Sequence, residues 1–138
     1  HSRAEIKYES YNKAVNIEAL TMIDMTVKQI LPAVIEYTGT LSGIIQSLKA
    51  VDVAPTVQSE LLRDIMSLLN EANAAVRVLR KVTAEASGIQ DNEERAHYYH
   101  DHVMPAMDAL RSPIDSLEML VDKEVWPMPS YGDLMFEV

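Results

Sequence analysis

Apolar side chains recur at alternating three- and four-residue steps along the first third of the chain. The positions are Leu20, Ile23, Val27, Ile30, Val34, Tyr37, Leu41, Ile44 and Leu48, with Val51 next in phase. This spacing places them on one seam of a single helix. A helix of ~40–45 residues would be roughly 60–65 Å long at ~1.5 Å per residue. A rod of that length cannot bury its seam alone, so the remaining chain must supply partner helices. Tyr8, Tyr11, Val15, Ala19 and Met22 form a second stripe out of phase with the first. It serves either ordinary bundle packing or docking toward missing chain. Pro32 interrupts the backbone ladder inside the seam and predicts a kink, because the apolar register continues on both sides. Gly39 and Gly43 weaken the later turns and leave room for close helix approach.

Residues 50–54 read as a turn, and Pro55 suits the start of a second helix over residues 55–87. Its expected seam is Leu61, Ile65, Leu68, Ala72, Ala75, Leu79, Val82 and Ala86, flanked by Leu62, Leu69 and Val76. Gly88 is placed for a left-handed C-cap. Asp91, with Glu94 three residues later, marks the start of a third helix over residues 91–125. That helix carries Tyr99, Val103, Ala106, Leu110, Pro113, Leu117 and Leu120 on its seam. Pro105 and Pro113 should bend it or split it. The fold expected is all-α: an antiparallel up-down-up bundle of three long helices, the first and third proline-kinked. An extended tail over residues 126–138 follows, with Trp126, Tyr131 and Phe136 as its docking residues. The whole of residues 3–138 is expected to be one domain. His1 and Ser2, with no initiator methionine, read as a tag remnant on a fragment of a longer polypeptide.

The formal charge of −9 argues against nucleic acid or an anionic membrane as partner, since each needs a basic face, and suits a cytoplasmic protein. Without cysteine there are no disulfides, thiolate metal sites or cysteine nucleophiles. No apolar run reaches transmembrane length and no signal peptide is visible. The one cluster with chemical potential is His97-Tyr98-Tyr99-His100-Asp101-His102. His97 and His100 lie three apart and can face one ligand. Glu94 and His97 form a Glu-x-x-His pair, but a di-iron bundle needs a second pair and two further glutamates, which the seams lack. A zinc or nickel site using His97, His100 and Asp101, with Glu94 as a weaker candidate, stays open beside a solvated helix face. A phosphotransfer histidine matches poorly, because no lysine-glycine pair follows. No phosphate-cradling glycine loop or nucleophile elbow is present, so the residues themselves assign no catalytic group.

Three stretches carry a family likeness. Asn16-Ile17-Glu18-Ala19-Leu20-Thr21-Met22-Ile23-Asp24-Met25 followed by Ile30-Leu31-Pro32-Ala33-Val34 resembles the start of the C-terminal helical region of type III glutamine synthetases. Residues 103–111, Val-Met-Pro-Ala-Met-Asp-Ala-Leu-Arg, continue it. Residues 126–136 are similar to the family's terminal Trp-Pro-x-Pro-x-Tyr-Gly-Asp-Leu-Leu-Phe signature, with Met128 and Met135 as departures. The resemblance covers nearly the whole chain. It implies a non-catalytic helical module of a cytoplasmic enzyme that ligates ammonia to glutamate with ATP and Mg2+ or Mn2+. It further implies an upstream catalytic domain and neighbouring subunits of a dodecamer as partners. No position here matches the family's metal or nucleotide motifs, so no cofactor is expected in this fragment. A free-standing helical interaction protein remains the alternative.

Overall fold

Helix-forming residues dominate the chain, and a computed structural model, which describes residues 3–129, turns them into helix with no strand among those residues. Three continuous rods result. The first comprises α1 (Arg3–Met25), a π-helical turn (Thr26–Ile30) and α2 (Leu31–Ala50). The second is α3 (Thr56–Ser87). The third comprises α4 (Asn92–Tyr98), another π turn (Tyr99–Val103) and α5 (Met104–Leu120). It ends at Leu120, where Val121 turns extended, and not at Val125.

Both π turns have one cause in view. Each ends two residues before a proline, Pro32 or Pro105. Proline has no N–H to give the carbonyl four residues back, and its ring crowds that carbonyl. In both rods that carbonyl, of Lys28 or Asp101, lies inside the π turn, where the ladder is already offset. The Leu31 N–H bonds the Thr26 carbonyl and the Met104 N–H bonds the Tyr99 carbonyl, each one residue longer than an α-helical bond. Neither rod is split at these prolines. Pro113 lies buried within α5, and the carbonyl to which it can give no N–H is that of Ala109 on the exposed side.

The π turn corrects the expected seam of the first rod. One extra residue in a turn rotates everything upstream by ~100°. Ala19 and Thr26 are therefore buried where Leu20 and Val27 were expected, and Leu20 is 50% exposed. The stripe through Tyr11, Val15, Ala19 and Met22 is thus the core face of α1. At the far end Ile45 is buried, while Ile44 and Val51 are exposed. A straight helix drifts from a strict heptad in this direction. In α3 the buried line runs Ile65, Leu69, Ala72, Val76, Leu79, Thr83, Ala86, with Leu68, Ala75 and Val82 half-buried beside it.

Caps fix the ends. Asp91 accepts the Glu94 N–H on Oδ2 at 3.0 Å, as its spacing predicts. Gly88 is instead right-handed, at φ −81°. Among the described residues the left-handed one is Asp52, at φ 59°, in the turn between the first two rods. Asp tolerates this conformation better than most side chains. Gly39 and Gly43 allow no close approach, because a Cβ at either would meet no neighbour within 4 Å. Replacing each by Ala is therefore expected to raise stability by about 0.5–1 kcal/mol, read from urea unfolding midpoints.

Tyr99, Val103, Ala106, Met107, Leu110 and Leu117 of the third rod complete one core with the other two rods. The beginning of α1 meets the beginning of α4: the Asn12 Nδ2 donates to the Asn92 carbonyl at 3.0 Å. Further along, Leu20 and Ile23 lie beside Arg80 and Thr83 of α3.

Candidate functional site

Three places gather polar or aromatic groups: the histidine face of the third rod, the segment after α5, and a pocket where α1, α3 and α4 converge.

The histidine face follows from the helical spacing of residues 93–102. His97 lies 3.9 Å from the Glu93 carboxylate, one turn earlier, and not against Glu94. The His100 Nδ1 lies 3.1 Å from the Asp101 Oδ1. His102 packs on the Tyr98 ring at 4.4 Å, and the Tyr98 hydroxyl donates to the Glu85 carboxylate. That hydrogen bond is the main cause holding the Tyr98 phenol above its ordinary pKa, with burial second. His97 and His100 do share one shallow apolar cleft with Tyr8 and Tyr11. Glu94 is not part of it; its N–H serves the Asp91 cap. Among the described residues no group of three His, Asp or Glu side chains comes together to hold a metal ion.

Beyond α5 the chain reverses. The Asp122 side chain accepts the Glu124 N–H, and the Asp122 carbonyl accepts those of Val125 and Trp126 at 2.9 and 3.0 Å. This tight turn drops Trp126 into the core at 8% exposure and brings Val125 beside Tyr37 of α2. The indole N–H is buried without a partner among the described residues. Tyr131 and Phe136 lie outside the described residues.

The pocket measures about 350 Å3. One wall is the α1 face carrying Glu9, Asn12, Lys13 and Asn16, at steps of three, one and three. Ser87, Arg95 and Tyr99 stand opposite. Arg95 is anchored by its Nε, which donates to the Ile89 carbonyl at 2.6 Å. Asn12 is 4% exposed; its amide nitrogen is committed to Asn92, while its Oδ1 has no partner among the described residues. The Asn16 Oδ1 is likewise buried and without a partner among those residues. Sequence reasoning passed over both residues because an apolar stripe was the signal followed. Asn12 does occupy a stripe position, four after Tyr8 and three before Val15.

Burial is the chief reason the Tyr99 phenol is pushed above its ordinary pKa, with Arg95 and a hydrogen bond shared with Ser87 opposing. A raised folded-state value favours the neutral phenol. Its stabilising effect is present below about pH 10 and is lost as pH rises through the folded value. Stability should therefore fall above about pH 10. In Tyr99→Phe that fall should be shallower, as followed by circular dichroism melts; Tyr11 and Tyr98, also raised, supply the rest.

No helix among the described residues is long and apolar enough to cross a membrane. Residues 1–49 match the family described as glutamine synthetase C-terminal domain. Over 97% of its length the chain is 28% identical to a glutamine synthetase of Bacteroides fragilis, spanning 19% of that protein. Over its full length it is 31% identical to the glutamine synthetase of Butyrivibrio fibrisolvens, spanning 20% of it. Over 98% it is 31% identical to the type-3 glutamine synthetase of Dictyostelium discoideum, spanning 19% of it. The chain thus spans about a fifth of the length of the curated relatives it matches.

Proposed function

Because this chain belongs to the glutamine synthetase C-terminal domain family, we propose that it works as the non-catalytic helical module of a type III glutamine synthetase. The observation that carries this reading is the match to these synthetases along essentially the whole chain. In the parent enzyme, ATP and Mg2+ or Mn2+ would serve the ligation of ammonia to glutamate elsewhere, in the cytoplasm. Here the module contributes subunit packing, assembly or regulation. Its partners are the upstream catalytic domain and neighbouring subunits.

Two features support an architectural role. The rods meet start to start in the first and third, and start to end in the first and second, which favours an up-down-up bundle. Apolar side chains also remain outside the core: Ile17 and Ile35 on the first rod, and Val51, Val53 and Val57 at one end of the bundle. Such groups suit burial against a further part of a larger assembly.

The test is glutamate- and ammonium-dependent ATP hydrolysis by the parent polypeptide ending before Arg3, beside the intact enzyme. Activity per subunit should persist while assembly size or heat resistance falls. Loss of activity in a truncated enzyme that stays folded and assembled would show that the module completes the active site.

A further inference from the structure

We propose that the groove between the first rod and α3 is the docking site of an acidic amphipathic α-helix from another polypeptide segment. Two hollows of about 460 and 230 Å3 lie along it. They share Leu20, Ile23 and Arg80, so they form one trough. On the first rod its wall carries Asn16, Leu20, Ile23 and Val27, at steps of four, three and four. Thr83, Ala84 and Ser87 of α3 stand opposite. Leu20 and Val27 belong to the strict apolar seam that the π turn rotates away from the core, and Leu20 is left 50% exposed. The seam thus faces a place where a further helix fits. From Asn16 to Lys28 the trough runs roughly 18 Å at ~1.5 Å per residue, enough for about three helical turns.

Both walls are helices whose backbone hydrogen bonds are internal, so they give an extended strand no ladder to join. A helix satisfies its own backbone, and laid in the trough it would bring the three rods to four by packing ridges into grooves. Charge sets its chemistry. Asp24 is the one carboxylate lining the trough among the described residues, and it is paired with Lys28 at 2.8 Å. Arg80 lines both hollows and forms no ion pair among those residues. Arg77, three residues before Arg80, and Lys81, three before Ala84, flank it on the α3 surface, likewise without ion pairs there. This basic strip is set in a chain whose formal charge is −9. An apolar stripe bordered by carboxylates matches floor and rim together. A second copy meeting groove to groove would set Arg80 against Arg80. The docking site stands on the trough alone and does not depend on the role proposed for the parent enzyme.

The probe is a fluorescent peptide of about 14 residues, with Leu at heptad positions a and d, Glu at e and g, and Ala elsewhere. Its counterpart has Lys in place of every Glu. Titrated with the 138-residue chain and followed by anisotropy, the acidic peptide should bind with a Kd on the order of 10 μM. The Lys peptide should bind at least tenfold more weakly. In the unaltered chain, the methyl resonances of Leu20, Ile23 and Val27 should shift with the same saturation curve. Arg80→Glu, at an exposed position, should weaken the acidic peptide about tenfold and tighten the Lys peptide, while Leu20→Asn should weaken both. Circular dichroism melts of the two variants separate lost docking from lost fold. Equal binding of the two peptides to the unaltered chain overturns the proposal in favour of unspecific apolar adhesion. Methyl shifts confined to Val51, Val53 and Val57 overturn it in favour of the bundle end. Self-association in sedimentation runs that Leu20→Asn abolishes overturns it in favour of a second copy, and absence of any binding at about 1 mM peptide overturns it outright.

Discussion

Trp126→Ala should destabilise the chain by about 3–5 kcal/mol, the largest loss expected from any single side chain. The indole is 8% exposed and belongs to the core, although it follows the last helix by six residues. Truncating it removes a large apolar surface and leaves a cavity that the Asp122 turn cannot close, because its backbone hydrogen bonds hold the segment in place. Urea unfolding followed by circular dichroism gives the figure. The indole N–H has no partner among the described residues, so Trp126→Phe loses no hydrogen bond and should cost only about 1–2 kcal/mol. Equal losses in the two variants would mean that the N–H, and not the ring, holds the segment down.

Deleting Lys28 should be nearly as damaging, on the order of 3–5 kcal/mol. Lys28 itself is exposed, and its ion pair with Asp24 at 2.8 Å is a surface one. Lys28→Ala should therefore leave stability nearly unchanged. The deletion acts through the backbone. Removing one residue from the π turn restores an α-helical ladder and rotates α1 by ~100°. Val15, Ala19 and Ile23 then leave the core, and the Asn12 contact with Asn92 is broken. Comparing the two variants by urea unfolding separates the register effect from the side chain. A deletion as mild as the substitution would show that α1 has no fixed facing.

Helix content, a turn close to the expected residues 50–54 and the Asp91 cap were legible because each rests on local chemistry: periodicity, proline, and a short acceptor at a helix start. The facing of α1 was not, because the strict heptad through Leu20 and Val27 looked stronger than the stripe through Val15 and Ala19. Only the extra residue ahead of Pro32 decides between them, and heptad counting assumes that no such residue exists. In α3 the buried line includes Thr83, whose hydroxyl donates to the Leu79 carbonyl at 2.6 Å and so hides its polarity from solvent. The pocket was illegible for a related reason. Its residues come from three segments, and Asn12 and Asn16 carry no signal until burial shows that their oxygens lack donors among the described residues.

The pairing of the first rod's start with the third rod has a consequence for synthesis. Asn12 bonds the backbone of Asn92, 80 residues later, and the Tyr11 hydroxyl reaches the Met104 sulfur, 93 residues later. While the chain emerges from the ribosome, the early half of the first rod can meet the end of α3 but lacks its remaining neighbours. It stays without them until α4 and the second π turn have cleared the exit tunnel. Because long loops must close before such contacts contribute, this end should lock last. Until then its apolar stripe is open to other nascent chains, and a holding chaperone would find its target there.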